Sequence, residues 1–255
     1  MNTPRGITRR VATIPRPQTG RVVRDIIRGF PRWVRRDSGQ LDEERANAYF
    51  LKRSFEDDQC LVVEASIDWY AAILDASDAL RQRLTNGERA ALLDVGCGRG
   101  GLLRWLETRG YQSYDYLGVD RDSIAIKRCA EKFPGRDFST GAAGELAAVA
   151  PKGADIFFII NVLPYLGDPL AGLRVCRSLA RRADSLLVVV DPTVSPYWNH
   201  EFSGVRPQYR TTAKLLRLTT EAGWAPRELV HLAPAALFGV PILGIAHLVV
   251  ASPKA

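Results

Sequence analysis

The sequence predicts an α/β fold in which a parallel sheet is covered by helices on both faces. From residue 90 onward, strand patterns alternate with helix patterns. Several of the strands are near-continuous apolar runs, such as "FFII" at 157–160 and "LLVVV" at 186–190. A strand with no polar face is typical of a parallel sheet that is buried on both sides. A glycine-rich turn after the first of these strands marks the edge where a ligand is expected.

The predicted elements follow in order along the second part of the chain. The seven predicted strands span residues 91–95, 114–120, 137–140, 154–162, 185–191, 227–233 and 242–252. The predicted helices span residues 100–109, 122–133, 169–182 and about 211–222. An irregular loop with many aromatic residues, 192–209, follows the fifth strand. Alternation of this kind predicts crossover connections between neighbouring parallel strands.

The N-terminal part has a different composition, and the turn "TNGE" at 85–88 divides the chain into 1–85 and 86–255. Residues 1–20 contain three prolines and are expected to be mobile. Residues 21–36 place apolar side chains at helical spacing between arginines, which predicts a basic amphipathic helix. Two further helices are predicted at about 42–57 and 61–84. We expect 1–85 to form a basic arm and a helical lid against the main domain.

The charge is concentrated in that arm. The chain has 255 residues and a net charge of +7. Residues 1–36 hold ten arginines, no lysine and one acid, so they carry +9 and the remainder sums to −2. Four scattered cysteines without a C-x-x-C pair favour a reducing compartment, and we expect a cytoplasmic protein. The apolar stretch 232–251 is broken by two prolines, so no transmembrane segment is predicted.

The stretch "LLDVGCGRGG" at 92–101 fits two classes of cofactor. Gly96, Gly98 and Gly101 satisfy the G-x-G-x-x-G pattern that binds dinucleotides, and Asp120 lies where such folds bind a ribose diol. The acid Asp94, however, ends the strand. A carboxylate suits a cofactor with a positively charged amino-acid tail and would repel an anionic pyrophosphate. The charge pattern therefore favours S-adenosylmethionine over NAD.

Several motifs in order resemble the class I S-adenosylmethionine-dependent methyltransferases. They are "LLDVGCGRGG", "YLGVDRD", "ADIFFIINVLPYLGDP", "LLVVVDPT" and "YRTTAKLLRLTTEAGW", and the resemblance covers about residues 88–255. It implies a Rossmann-like sheet of seven mostly parallel strands with an antiparallel last strand, helices on both faces and an N-terminal helical lid. It also implies that residues 86–255 form the S-adenosylmethionine-binding domain.

The resemblance assigns roles to residues at the strand ends. Asp94 would lie near the methionine end of the cofactor, and Gly96 and Gly98 would let the backbone approach it. Asp120 would bind both ribose hydroxyls, and Asn161 would line the sulfonium region. Cys97 and Arg121 belong to the same cofactor-binding loops. The family often has an adenine-binding acid after the third strand, where this chain reads "STGAAGEL".

The loop after the fifth strand indicates the substrate side. It holds Tyr197, Trp198 and Tyr209, which suit an organic acceptor, and Tyr165 faces either cofactor or acceptor. His200 is the candidate general base. Because Asp191, Asn161 and Asp168 are too few oxygen ligands for a convincing site, we predict no metal.

Three functions fit these features. The leading one is methyl transfer to a small organic acceptor, for example a secondary metabolite, with O, N or C as the methylated atom. The second is modification of RNA or protein guided by the arginines, although the nearly neutral core makes nucleic acid a poor partner. The third is a binding module that keeps the cofactor fold without transfer. Segment 21–36 has its own alternatives, a contact with a membrane surface or with an anionic substrate.

Overall fold

A computed structural model gives the fold and describes residues 6–12, 71–193, 208, 210–232, 236–237, 240–241 and 245–254. The strands, in chain order, are β1 (Thr8–Ala12), β2 (Ala90–Val95), β3 (Tyr114–Asp120), β4 (Asp137–Thr140), β5 (Ile156–Ile160), β6 (Leu186–Thr193), β7 (Trp224–Leu232), β8 (Ala236–Leu237), β9 (Val240–Pro241) and β10 (Ile245–Pro253). Eight of them form one sheet in the order β1-β7-β10-β6-β5-β2-β3-β4, and β8 pairs with β9 in a small ribbon.

The sheet is mostly parallel, and its last strand is reversed. β10 lies antiparallel between β6 and β7, whereas the other pairs of the main sheet are parallel. The predicted fold class is therefore confirmed. Because chain order jumps from β2 to β5 across the middle of the sheet, the carboxyl ends of these two strands form the switch point where ligands bind in such folds.

One strand of the main sheet was not predicted from the sequence, and neither was the ribbon of β8 and β9. The count of seven is one short, because Thr8–Ala12, within the segment predicted to be mobile, pairs with β7 from Thr8–Glu228 to Ala12–Leu232. Its sequence, "TRRVA", has no alternating apolar pattern over a useful length. An edge strand of five residues is fixed by its backbone pairing and not by burial of one face, which explains why the pattern missed it.

Six helices that lie entirely within the described residues cover the sheet. They are α1 (Asp78–Thr85), α2 (Gly101–Thr108), α3 (Ser123–Lys132), α4 (Leu146–Val149), α5 (Pro169–Ser178) and α6 (Thr212–Glu221). The apolar strands supply core residues to both faces: Leu92, Phe158 and Val188 pack with α1 and α2. Their neighbours Leu93, Phe157 and Val189 pack with α5 and α6 on the opposite face.

The helix predicted over 61–84 is interrupted. Residues 71–75 are helical, and a new helix, α1, begins after Ser77, whose hydroxyl accepts a hydrogen bond from the Leu80 amide at 3.2 Å. The same hydroxyl donates to the buried Glu228 carboxylate of β7 at 2.6 Å. Serine at this position caps the start of a helix. Its hydrogen bond to Glu228 explains why the predicted helix breaks here. The helices predicted at 21–36 and 42–57 lie outside the described residues.

The Glu228 carboxylate also links the edge strand β1 to the rest of the fold through hydrogen bonds. Arg10 of β1 donates from Nε to Glu228 Oε1 at 2.6 Å, and the backbone amide of Asp78 donates to the same oxygen at 3.2 Å. One buried acid thus joins β1, β7 and the start of α1. Among the described residues, no helix is long and apolar enough to cross a membrane.

Candidate active site

The glycine loop after β2 bends tightly against β3. Gly96, Gly98 and Gly100 all have positive φ, at 74°, 51° and 75°, which is the region that glycine adopts at little cost. The amides of Gly96 and Cys97 both donate to the Val119 carbonyl, at 2.7 and 3.1 Å. At its three glycines the loop therefore has backbone that carries no side chain, and α2 begins directly after Gly100.

Gly96 has a second reason to be glycine. A Cβ at this position would collide with the side chain of Val162, which follows β5. The loops after β2 and β5 are therefore in contact. This contact brings Asn161 beside the glycine loop, as the switch-point argument requires.

We predict that Gly96→Ala destabilises the protein by about 2–4 kcal/mol, since it adds a left-handed alanine and an overpacked contact. The matched control is Gly110→Ala, where φ is 73° and a Cβ would meet nothing within 4 Å. That variant should lose only about 1–2 kcal/mol. Chemical denaturation measures both. Equal losses in the two variants would contradict the contact with Val162.

Asp120 closes the glycine loop from β3. Its Oδ2 accepts the Gly98 amide and its Oδ1 accepts the Asp122 amide, each at 2.9 Å. Helix α3 is capped by Asp122, whose Oδ1 accepts the amides of Ile124 and Ala125. Asp120 is therefore not an ordinary helix cap. Because each carboxylate oxygen has two lone pairs, both oxygens of Asp120 retain an acceptor site for a hydroxyl. Burial raises the pKa of Asp120.

Asp94 is a buried acid at the end of β2, with 2% of its surface exposed. The Tyr116 hydroxyl donates to its Oδ2 at 2.7 Å. Burial raises the pKa of Asp94 to about 7, and the hydrogen bond from Tyr116 opposes that rise. A positive charge next to this carboxyl would favour its ionised form. The site therefore fits an ammonium group.

Asn161 follows β5 in an unusual conformation. Its φ of 56° is the one positive φ among the described residues that are not glycine. The Asn161 amide donates to the Val190 carbonyl of β6 at 2.7 Å, which fixes the turn. Its side-chain Oδ1 is buried and has no hydrogen-bond partner in the described part of the chain. Such backbone conformations concentrate at functional sites, and an unpartnered buried oxygen calls for a donor.

Comparison with known proteins relates this edge to one family of enzymes. Residues 93–183, which include Asp94, Asp120 and Asn161, match the model of a methyltransferase domain family. Over these residues the chain is similar to a methyltransferase domain. No curated protein matches this sequence significantly.

Solved structures with this fold differ in their chemistry. The Burkholderia thailandensis 1,6-didemethyltoxoflavin-N1-methyltransferase, solved with its acceptor and S-adenosylhomocysteine, shares 17% identity at a TM-score of 0.63, over 88% of this chain and 94% of that one. The O-methyltransferase NcsB1 of neocarzinostatin biosynthesis shares 20% identity at a TM-score of 0.52, over 83% of this chain and 59% of that one. The [4+2]-cyclase SpnF shares 16% identity at a TM-score of 0.54, over 69% and 79%. At these identities the likeness concerns the fold alone.

The site also contains two charged residues whose place there was not predicted from the sequence, Asp191 and Arg210. Asp191 near the end of β6 is 3% exposed, and its Oδ1 has no hydrogen-bond partner among the described residues. Arg210, also buried, donates from Nη1 to the carbonyls of Leu163 and Gln208, at 3.0 and 2.9 Å. Burial raises the pKa of Asp191 to about 7, and the charge of Arg210 opposes this. The signal was an acid ending an otherwise apolar strand.

The other predicted site residues fall into three groups. Cys97 is buried within the glycine loop, and the Cys129 thiol and burial raise its pKa, so it stays a neutral thiol. Arg121 is exposed, and Tyr165 lies half-buried in the 3-10 turn Leu163–Tyr165. Asp168 caps α5 by accepting the Ala171 amide at 2.9 Å. The predictions for His200, Tyr197, Trp198 and Tyr209 concern positions outside the described residues.

Proposed function

We propose that the methyltransferase moves the methyl group of S-adenosylmethionine to a small organic acceptor that lies over the carboxyl ends of β2, β5 and β6. The observation that carries this proposal is the set of three polar groups at one edge. Asp120 has free lone pairs for a ribose diol, Asp94 suits an ammonium, and Asn161 offers an unpartnered oxygen beside them. Asp120 and Asp94 fit the two ends of this cofactor, whereas a dinucleotide would bring an anionic pyrophosphate to Asp94.

The cofactor, when bound, supplies an activated methyl group on a positively charged sulfur. The chain mainly has to position two reactants and exclude water. Asp120 would hold the ribose, and the glycine loop would allow close approach of the backbone. Asn161 would orient the reacting end, because its amide is fixed to Val190. The relatives support a small acceptor, because the names of the N1- and O-methyltransferases describe proteins that act on or bind small aromatic molecules.

We predict that calorimetry shows binding of S-adenosylhomocysteine and none of NADH. Asp120→Ala should weaken S-adenosylhomocysteine binding by about 1.5–3 kcal/mol, because hydrogen bonds to a charged group are lost. Asp122→Ala is the matched control, since it removes the cap of α3 beside the same loop. It should lower stability by about 1 kcal/mol and leave cofactor affinity within about threefold. Tight NADH binding without S-adenosylhomocysteine binding would refute the proposed function.

The [4+2]-cyclase with the same fold makes turnover a necessary part of that test. Methyl transfer from labelled S-adenosylmethionine to extracted small metabolites, compared with transfer to bulk RNA, separates a small-molecule enzyme from an RNA enzyme. Cofactor binding without transfer to any fraction would favour the binding module.

We also propose that the N-terminal part covers the acceptor. β1 runs in the same direction as β6, because β7 and β6 are each antiparallel to β10. Ala12 therefore ends β1 at the carboxyl edge of the sheet, the edge that carries the site. Segment 13–70 starts from that edge, which suits a lid. The arginines of 21–36 would then lie near the entrance, with membrane or nucleic-acid contact as the alternatives.

We predict that a protein lacking residues 13–36 still binds S-adenosylhomocysteine within about threefold but loses most transfer to small metabolites. Residues 8–12 are kept, because their removal would expose the edge of β7. If transfer survives while salt-sensitive RNA binding disappears, the arm guides nucleic acid and is not a lid.

A further inference from the structure

Two residues at neighbouring positions on adjacent strands, where the acceptor is expected, each have a buried side-chain oxygen that no donor contacts in the described part of the chain. Ile160 and Val190 are paired in the register of β5 and β6, so Asn161 and Asp191 occupy the next positions on adjacent strands. Oδ1 of each is enclosed and unpartnered among the described residues. An unsatisfied buried acceptor costs about 1–3 kcal/mol, and buried polar groups are nearly always paired. A pair of them at the carboxyl edge indicates a ligand that donates hydrogen bonds.

We propose that Asn161 and Asp191 form the polar wall of the acceptor site and select an acceptor whose nucleophilic atom carries a proton, such as a phenol, an enol or a ring N–H. This inference rests on the proposed function, because it concerns the same site. Carboxylates and phosphates do not fit the ionised form of this wall as methylated groups, since an anionic oxygen facing the Asp191 carboxylate would bring two acceptors together without a donor.

An ion pair with Arg210 is the alternative explanation for an acid at position 191. Its guanidinium is buried, and its positive charge acts on Asp191. The hydrogen bonds of its Nη1, however, go to the carbonyls of Leu163 and Gln208. Arg210 thus ties the loop after β5 in place and supplies a compensating charge nearby. The unpartnered Asp191 oxygen remains available to a ligand.

With an acceptor of this class, methyl transfer is a single displacement followed through to the fate of the acceptor's proton. The nucleophilic atom forms its bond to the methyl carbon while the bond from that carbon to sulfur breaks, and sulfur keeps the electron pair and becomes a neutral thioether. The acceptor atom loses its proton, and the Asp191 carboxylate, already its hydrogen-bond partner, receives it. A general base positioned in this way contributes when the acceptor is not ionised beforehand. The role predicted for His200 would then pass to Asp191.

The test uses phenol and anisole as probes, because they share a ring and differ in the donating hydroxyl. Ligand-detected NMR titrations are run on the full-length protein saturated with S-adenosylhomocysteine. We expect phenol to bind at least about tenfold more tightly than anisole, the lower end of what one hydrogen bond to a charged group provides. Asp191→Ala should remove this preference and leave anisole binding unchanged. Asp168→Ala, which removes a helix-capping acid of the neighbouring loop, should keep it.

Phenol that binds no better than anisole to the wild type overturns the inference, and so does an equal loss of both probes in Asp191→Ala. Asn161→Ala provides a second variant and should weaken phenol selectively. Binding of S-adenosylhomocysteine is measured first in every protein. If the wild type fails to bind it, the proposed function fails, whereas normal cofactor binding without phenol preference refutes the polar wall alone.

Discussion

Asp191→Asn is expected to stabilise the protein at pH 8 by about 2–4 kcal/mol and to leave its stability nearly unchanged near pH 4. Burial raises the pKa of Asp191 to about 7 in the folded protein. Its pKa in the unfolded chain is about 3.9, and each pH unit of difference corresponds to about 1.4 kcal/mol. The folded state therefore binds this proton more tightly, and stability falls as pH rises from about 4 to 7. Asparagine does not titrate, so this slope disappears.

Asp155→Asn is the matched control. Asp155 is equally buried but lies at the amino end of β5, away from the carboxyl ends of the strands that carry the site. Its carboxylate accepts the Ala91 amide at 2.9 Å and is paired with Arg181 and Arg182. Removing that charge should destabilise the protein at pH 8. Thermal unfolding at pH 4, 6 and 8 measures both variants, with an expected rise in Tm on the order of 10 °C for Asp191→Asn at pH 8. A lower Tm at pH 8 would mean that the Asp191 charge is paired in the folded protein.

The affinity for S-adenosylhomocysteine is expected to fall about 10–30-fold between pH 7.5 and pH 5.5. Burial raises the pKa of Asp94 to about 7, so the empty site loses its negative charge over this range. An ammonium of the ligand favours the ionised form, and a protonated Asp94 must first give up its proton, at about tenfold in affinity per pH unit. Because the ammonium of the ligand is positive and favours the ionised carboxylate, the affinity for S-adenosylhomocysteine falls as pH falls.

5′-Methylthioadenosine separates Asp94 from the other acids, because it keeps the nucleoside and lacks the amino-acid tail. Its affinity should stay constant over the same pH range. Asp94→Asn should bind S-adenosylhomocysteine weakly and without pH dependence, and Tyr116→Phe should move the midpoint to higher pH by removing the hydrogen bond to the carboxylate. Calorimetry at four pH values measures each case. A parallel pH dependence of both ligands would assign the titration to a group that does not contact the tail.

Those parts of the fold were predictable from the sequence in which the local residue pattern and the surrounding structure require the same residue types. The apolar strands β2, β5 and β6 are buried on both faces, so their composition alone identified them. The glycine loop was predictable because positive φ and close backbone approach both require glycine. The position of Asp120 in the sequence indicated its place at the end of β3, although its hydrogen bond to Gly98 depends on how two loops fold together.

The features that the sequence did not predict depend on contacts between distant residues. The pairing of β1 with β7 joins residues more than 200 positions apart, and the break before α1 depends on Glu228 of β7. Asp191 was recognisable in the sequence as the acid at the end of an apolar strand. Its proposed role depends on the absence of a hydrogen-bond donor to its Oδ1 among the described residues, and a sequence does not show which residues surround a side chain. Arg210 was one arginine among many until its burial and its bond to Leu163 were known.

The pairing of β1 with β7 also determines how the N-terminal part is connected. β1 and the helical residues 71–75 stand on either side of residues 13–70 in the sequence, so both ends of that segment are joined to described parts of the protein. A lid joined in this way would act on the site of its own chain, at an effective concentration that dilution does not change. Exchange of the segment between two copies of the chain would require β1 to leave β7 and Arg10 to leave Glu228. The pairing of β1 with β7 would therefore keep the proposed lid with the site of its own chain.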